Sequence, residues 1–249
     1  VDDEGNITNA QTAYQYITNS ASEVRLWEID FEQLVGSQYR KLTSDNFYSQ
    51  GELTLNVITD ENGSMTCEYK DKQGKVVLKK SQLSSFAQIT DHDGWACTYY
   101  IYDDFGNLRY VIPPQAVQEM IEATDWKLVE NPEFIDNWLF YYEYDERQRM
   151  SIKKVPGAEP VFMVYDARDR LILTQDGNQR STVFGDNTGK QWIFTKYDAL
   201  NRPIMTGIYT HNGPEITQAD MQRDVVNVEI TNGTDFYEEY NGLAANHGY

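Results

Sequence analysis

Among the residues of this chain that could do chemistry, four tyrosine–aspartate pairs stand out: Tyr102-Asp103, Tyr144-Asp145, Tyr165-Asp166 and Tyr197-Asp198. An aromatic ring beside a carboxylate is one way to hold a sugar. The ring stacks on the apolar face and the carboxylate accepts from hydroxyls. Arginine follows three of the pairs, as Arg149, Arg170 and Arg202, and such a cation could grip an anion. The competing reading is architectural. Tyrosine then ends a strand with its ring packed on a neighbour, and aspartate accepts backbone N–H groups in the turn that follows. A side chain that recurs at every structural unit is more often part of the architecture, and that reading is preferred. The arginines are then expected to pair with nearby carboxylates at the surface, where such pairs contribute about 0–1 kcal/mol each.

No other residue set carries a reaction. The acidic loops "VDDEGN", "TDENGS", "DHDG" and "GDNTGK" lack the Asp-x-Asp-x-Asp-Gly spacing and following Glu of a calcium loop. His92, His211 and His247 stand in no recognisable ligand spacing. There is no GxSxG, no P-loop and no GxGxxG, and no carboxylate pair is singled out as a glycosidase acid and nucleophile. No catalytic residue, metal or cofactor is expected.

The elements that must position the tyrosines and aspartates form a repeat. "YDDFGNLRYVI", "YDERQRMSIKK", "YDARDRLILTQ" and "YDALNRPIMTG" align, with Gly106, Gln148, Asp169 and Asn201 four residues after tyrosine. A degenerate copy, "YKDKQGKVVLKK", fits when aligned on Gly74, with Lys70 in the tyrosine position. Successive copies are spaced by 32, 42, 21 and 32 residues, which gives a unit of 21 with insertions. The segments before each pair, such as "WACTYYIYD" and "VFMVYD", are rich in aromatic and β-branched residues, as strands are. Glycine, asparagine or aspartate at the fourth position suits positive φ in a tight loop. A second short strand follows, and turns such as Asn62-Gly63, Asp176-Gly177 and Asn212-Gly213 lead onward. Strand, turn, strand, turn at a fixed period predicts an antiparallel array of hairpins. Trp138, Phe140, Tyr142 and Tyr144 fall on one face of it and Leu139 and Tyr141 on the other. Both faces are apolar, so cover on both sides is expected.

Three stretches have helical periodicity: "TNAQTAYQYI", "PPQAVQEMIEATD" near 114–124, and "TQADMQRDVV", which opens with Thr217 and Asp220 in capping-box order. Residues 20–48 give no clear pattern.

The repeat series from Asn62 to Tyr209 resembles the YD-repeat, or Rhs, family, and in particular the large surface or secreted Rhs-type proteins of Bacteroidetes. The resemblance implies a mainly β fold, with consecutive hairpins forming an open curved strip and two or three short helical insertions. It marks Tyr102, Asp103, Gly106, Tyr144, Asp145, Arg149, Tyr165, Asp166, Arg170, Tyr197, Asp198 and Arg202 as repeat positions. In complete members the strip spirals into a shell that can enclose a C-terminal toxin domain, and related proteins take part in cell-surface contact and bind carbohydrate. This sequence lacks the Asp-Pro-x-Gly-Leu segment that closes the family core. It also has too few repeats to close a shell.

The expected organisation is an N-terminal segment over 1–60, holding a hairpin and a helix, a repeat strip over 61–212, and a C-terminal helix and tail over 213–249. "VDDEGN" reads as the middle of a hairpin and "NGLAANHGY" ends abruptly, so an excised or processed piece of a longer protein is expected. The implied function is a non-catalytic scaffold segment of a cell-surface or extracellular protein. Its partners would be the remaining repeats of the parent chain. A carbohydrate-binding module using exposed aromatics is the second reading, and a glycan-active enzyme the third.

Composition agrees with these readings and narrows them. The chain has 249 residues, 13% of them aromatic, which is enough for a packed β core. Its net charge of -18 disfavours nucleic acid and anionic membrane surfaces. No apolar run has membrane-spanning length. Cys67 and Cys97 fall on equivalent strands of successive hairpins. With one strand between them they would lie about 9.5 Å apart, beyond the roughly 7 Å a disulfide allows, so buried free thiols are expected. The lysines of "KVVLKK" are read as guards of an open strand edge.

Overall fold

The computed structural model describes residues 13–181, 183–184, 187–188, 191–211 and 216–232. The hairpin expected at "VDDEGN", the Asn212-Gly213 turn, the tail with His247 and all of "GDNTGK" but Asn187–Thr188 lie outside the described residues. The chain divides into two compact units, Val1–Phe140 and Tyr141–Tyr249.

The first unit holds β1 (Ala13–Thr18), β2 (Arg25–Val35), β3 (Tyr39–Phe47), β4 (Thr54–Thr59), β5 (Met65–Lys70), β6 (Val76–Gln82), β7 (Trp95–Tyr102) and β8 (Leu108–Ile112). Helix α1 (Pro114–Glu122), a 3-10 turn (Trp126–Glu130) and α2 (Pro132–Trp138) follow. The second holds β9 (Phe140–Tyr144), β10 (Met150–Lys154), β11 (Val161–Tyr165), β12 (Leu171–Gln175), α3 (Gly177–Ser181), β13 (Val183–Phe184), β14 (Asn187–Thr188), β15 (Gln191–Tyr197), β16 (Pro203–Thr210) and α4 (Gln218–Asn232). Twelve strands form one open antiparallel sheet in the order β1-β4-β5-β6-β7-β8-β9-β10-β11-β12-β15-β16. The pairs β2–β3 and β13–β14 stand apart as two-stranded sheets. A mainly β array of hairpins with few short helices is what the repeat pattern predicts.

Several local readings are corrected. Of the helix expected at "TNAQTAYQYI", the described part is strand β1, in register with β4 from Ala13↔Thr59 to Thr18↔Thr54. Tyr14, Tyr16 and Ile17 are all exposed, so no i, i+3, i+4 face is buried to favour a helix, and Tyr, Ile and Thr prefer strands. Residues 25–47, unreadable in the sequence, form the β2–β3 hairpin. Irregularities between Leu26 and Glu28 and between Asp30 and Leu34 break its alternation. Trp138 ends α2 and does not share the β9 face. Asp176-Gly177 is not a hairpin turn. Asp176 caps α3, its carboxylate accepting from Gln179 N (2.8 Å) while Gln179 Oε1 accepts from Asp176 N (2.8 Å). That is a reciprocal capping box.

Each unit covers its sheet with helix. In the first, α1 buries Ala116, Val117 and Met120, and α2 buries Phe134 and Ile135. In the second, Met221 and Val225 of α4 pack on Val164, Ile172, Leu173, Trp192 and Phe194.

Lys80 is not an edge guard. β6 lies between β5 and β7, and Lys80 is fully buried, its ammonium donating to Ile89 O (2.7 Å) and Asp91 O (2.9 Å). Across the sheet it pairs with Cys67 on one side and Cys97 on the other, so the two cysteines are separated by a strand, and both are free and buried. Burial pushes the Cys67 thiol up to about 11 and the Cys97 thiol up to about 12. It also raises Tyr69 and Tyr99 and lowers Lys80.

The native state therefore keeps thiol protons that the unfolded chain releases above roughly pH 8.5. The corresponding stability is complete below that pH and drains away as pH climbs through the folded values. Lys80 works in the opposite sense, because its burial penalty fades as pH approaches roughly 10.4, but it is one group against two thiols and two phenols. Denaturant midpoints are expected to fall steadily between about pH 8.5 and 11. They should fall less steeply in the Cys67→Ala/Cys97→Ala double variant. Parallel curves for the two proteins would refute the assignment.

Candidate functional site

The aspartate of every motif builds its turn the same way. In Asp166, Oδ1 accepts from Arg168 N and Arg170 N, both at 2.9 Å, while Asp166 N donates to Arg170 O (3.1 Å) and Asp169 N to Asp166 O (3.1 Å). Asp71, Asp103, Asp145 and Asp198 repeat this pattern, accepting from the second and fourth following N–H groups. The residue before the last donor carries positive φ each time: Gly74, Gly106, Gln148, Asp169 and Asn201. Asp60 makes the same loop, with Gly63, at the opposite end of β5. A short carboxylate that replaces the missing backbone acceptor is what fixes this turn.

The second carboxylate oxygen takes the arginine. Arg149, Arg170 and Arg202 donate through Nε to Oδ2 of Asp145, Asp166 and Asp198 at 2.7, 2.6 and 2.7 Å. Where Asn107 occupies the arginine position, Asn107 Nδ2 (3.1 Å) and Arg109 Nε (2.8 Å) share Asp103 Oδ2. Burial opposes the charge on Asp103 most strongly. The Asn107 N–H, the Arg109 guanidinium and the Asn107 amide together still hold its carboxyl below the usual range. For Asp198 the Arg202 backbone N–H is the leading cause of a lowered value. These pairs are not uniformly surface pairs. Side-chain exposure is 8% for Arg170 and 1% for Asp166, against 71% for Arg202 and 22% for Asp198.

The tyrosine joins one hairpin to the previous one. Tyr165 OH donates to Met150 O (2.8 Å) and Tyr197 OH to Leu171 O (2.8 Å), each the first residues of the second strand of the preceding hairpin. The previous hairpin's cation lies over the ring: Arg149 over Tyr165 (4.8 Å), Arg170 over Tyr197 (5.5 Å) and Lys75 over Tyr102 (5.3 Å). Arg149 also reaches Asp166 O (3.1 Å) and Asp169 Oδ1 (2.8 Å), and Arg170 reaches Asn201 Oδ1 (3.1 Å). Burial raises the hydroxyl pKa of Tyr102, Tyr165 and Tyr197. Tyr144 pairs across the hairpin with Met150.

These links bridge real gaps in the sheet. The ladder to the preceding hairpin stops three residues before each of these tyrosines, at Leu78↔Tyr99, Ile152↔Phe162 and Leu173↔Phe194. In the β10/β11 gap α4 supplies the missing partners. Gln222 Oε1 accepts from Tyr165 N (2.8 Å), Gln222 Nε2 donates to Tyr165 O (2.7 Å), and Gln218 Nε2 donates to Met163 O (2.7 Å).

The structure thus brings Asp145, Asp166 and Asp198 together with the arginine of their own repeat and Asp103 together with Arg109, and it brings Arg149 and Arg170 together with the tyrosine of the next motif, Tyr165 and Tyr197. It does not gather the motif residues into one pocket. Sequence reasoning missed Lys75 and Arg109 as cation positions, and Gln218 and Gln222. Lys75 was legible, since it sits five residues after Lys70. Spacing of four in "TQADMQ" put the glutamines on one helix face, but nothing marked what they would meet. Among the described residues, no group of three His, Cys, Asp or Glu could hold a metal ion, and no helix is long and apolar enough to cross a membrane.

No family model matches the chain, and no curated protein matches it. Solved structures do. A Photorhabdus luminescens Tc holotoxin pore carrying a TccC3 variant is 15% identical over 68% of this chain and 8% of that one, with a TM-score of 0.44. A TcdB2-TccC3 crystal structure is 15% identical over 68% and 8%, at 0.45. A TcdB2-TccC3-TEV structure is 14% identical over 82% and 9%, at 0.44. The chain spans less than a tenth of the length of these neighbours.

Proposed function

We propose that this chain is a non-catalytic scaffold segment of an Rhs-type, YD-repeat protein acting at the cell surface or outside the cell. Its partners are the remaining repeats of that protein, and neither nucleic acid nor membrane insertion is part of its role. The supporting observation is that the reactive groups of the motif are spent inside the sheet. The Asp166 carboxylate accepts two backbone N–H groups and an arginine Nε, and the Tyr165 hydroxyl donates to a carbonyl of the neighbouring hairpin. A carboxylate and a phenol held this way serve poorly as acid, base or nucleophile, because activity would require breaking the turn. The parent's further role, including enclosure of a toxin domain, belongs to this proposal as an expectation for the whole protein.

A glycan array and a glycoside hydrolase screen, run on the wild type and on Tyr165→Phe/Tyr197→Phe, test the reading. The double variant is expected to lose about 1–3 kcal/mol of stability, since two hydrogen bonds are removed at about 0.5–1.5 kcal/mol each. Any glycan profile should be unchanged and no turnover detected. Glycan binding or turnover that vanishes with the two hydroxyls, in protein that remains folded, would overturn it.

A further inference from the structure

Tyr102, Tyr165 and Tyr197 hold the same place at three junctions between hairpins. Each ladder to the previous strand ends at the residue four after that hairpin's positive-φ position, as Leu78↔Tyr99, Ile152↔Phe162 and Leu173↔Phe194. The groups spent at the later junctions are unspent at the first. Tyr165 OH and Tyr197 OH donate to the preceding strand, and Gln222 of α4 takes both the N–H and the C=O of Tyr165. Tyr102 faces Leu108 as Tyr165 faces Leu171, so its N–H and C=O turn toward β6 in the same way. Among the described residues, no group hydrogen-bonds the Tyr102 hydroxyl and no side chain takes its N–H and C=O. A cleft of about 190 Å³ opens there, with Trp27, Tyr48, Asp71, Lys75, Tyr100 and Tyr102 in its walls. Trp27 is only 9% exposed, and its indole N–H has no partner among the described residues. A buried unpaired donor is costly and calls for an acceptor.

We propose that this cleft docks a basic polypeptide segment, which inserts one glutamine side chain beside Tyr102 as α4 inserts Gln222 beside Tyr165. The carboxamide oxygen accepts from Tyr102 N, and the carboxamide nitrogen donates to Tyr102 O. At neutral pH only the carboxamides of asparagine and glutamine set an uncharged donor and acceptor side by side on one side chain. Glutamine has the reach seen in the second unit. Its methylenes lie along Val77 and the Tyr100 ring, which both line the cleft. A main-chain carbonyl of the same segment accepts from the Trp27 indole. The cleft is smaller than the roughly 300–1,000 Å³ of pockets for drug-sized ligands, which suits a single side chain. The wall also sets the partner's charge. Its two cations are laid on aromatic rings, Arg25 on Phe47 and Trp126 and Lys75 on Tyr102. Asp104 is exposed, and Asp71, with Oδ1 committed to Gln73 N and Lys75 N, has Oδ2 left to accept. In a chain of net charge -18, these carboxylates favour lysine or arginine on either side of the inserted glutamine. The site goes beyond the scaffold role and does not rest on it.

The test is an amide NMR titration of the whole chain with the peptide acetyl-Lys-Ala-Gln-Ala-Lys-amide, with versions carrying leucine or glutamate in place of the glutamine, and with acetamide. The glutamine peptide is expected to shift the Tyr102 N–H and the Trp27 indole N–H and to bind at least about tenfold more tightly than either version, the ratio that 1.4 kcal/mol gives. Its binding should weaken as salt rises and fall several-fold in Asp104→Asn, a change at an exposed position. Trp27→Phe removes the indole donor but keeps a ring in the wall, and should also weaken binding several-fold. Equal binding of the leucine version, shifts lying away from the cleft, no saturable shift, or unchanged binding in both variants would overturn the assignment. Acetamide binding as tightly as the peptide would make the cleft a small-molecule site and overturn it as well. The scaffold role is judged by the glycan and hydrolase measurements, so the two readings fail separately.

Discussion

Asp166→Ala is expected to cost about 3–5 kcal/mol of folding stability, the range for removing one member of a buried ion pair. The corresponding change at Asp198 should cost much less, although the two positions are the same in the repeat. The turn bonds are alike in both. What differs is the cation left behind. Arg170 is buried, with its side chain 8% exposed, and loses its Nε carboxylate partner inside the protein. Arg202 is 71% exposed and returns to water. Asp166→Asn separates the contributions. It keeps an Oδ1 acceptor for Arg168 N and Arg170 N but removes the charge, and should fall between wild type and alanine. Urea denaturation of the four proteins at neutral pH measures this directly. Equal losses at Asp166 and Asp198 would mean that the turn bonds, not the buried charge, carry the energy.

That contrast also marks how much was legible in the sequence. The repeat identifies the turn, because a turn of this kind is a local object. One aspartate, two N–H groups and one residue of positive φ lie within five consecutive positions. The hairpin order was legible for the same reason, and it placed Cys67 and Cys97 one strand apart. Burial of Arg170 was not legible, since it depends on the next hairpin crossing above it, with Tyr197 over the guanidinium and Asn201 Oδ1 at 3.1 Å. The burial of Lys80 was hidden similarly. A lysine in an acidic chain reads as surface charge until the strands on both sides are placed and two loop carbonyls are seen to receive it. β1 misled because Ala, Tyr and Ile at helical spacing also fit a strand, and only pairing with β4 decides between them.

The helix α4 shows a long-range dependence of the same kind, and Gln222→Ala tests it. A helix usually docks on a sheet by its apolar side, and Met221 and Val225 do so here. Gln222 does something further. It takes both the N–H and the C=O of Tyr165, two groups that β10 would satisfy if the ladder continued past Phe162. Removing the carboxamide strands a donor and an acceptor, each worth about 1–3 kcal/mol when left buried without a partner. The expected loss is about 2–6 kcal/mol if water cannot enter and less if it can. Hydrogen exchange distinguishes these cases, because the Tyr165 amide should lose its protection in the variant while amides of the β15–β16 hairpin keep theirs. Gln222→Glu sharpens the point. The carboxylate still accepts from Tyr165 N but presents negative charge to Tyr165 O, so it should be at least as destabilising as alanine near neutral pH and recover as the carboxylate is protonated. If Gln222→Ala and Gln222→Glu both leave stability and exchange unchanged, α4 is held on the sheet by the apolar packing of Met221 and Val225.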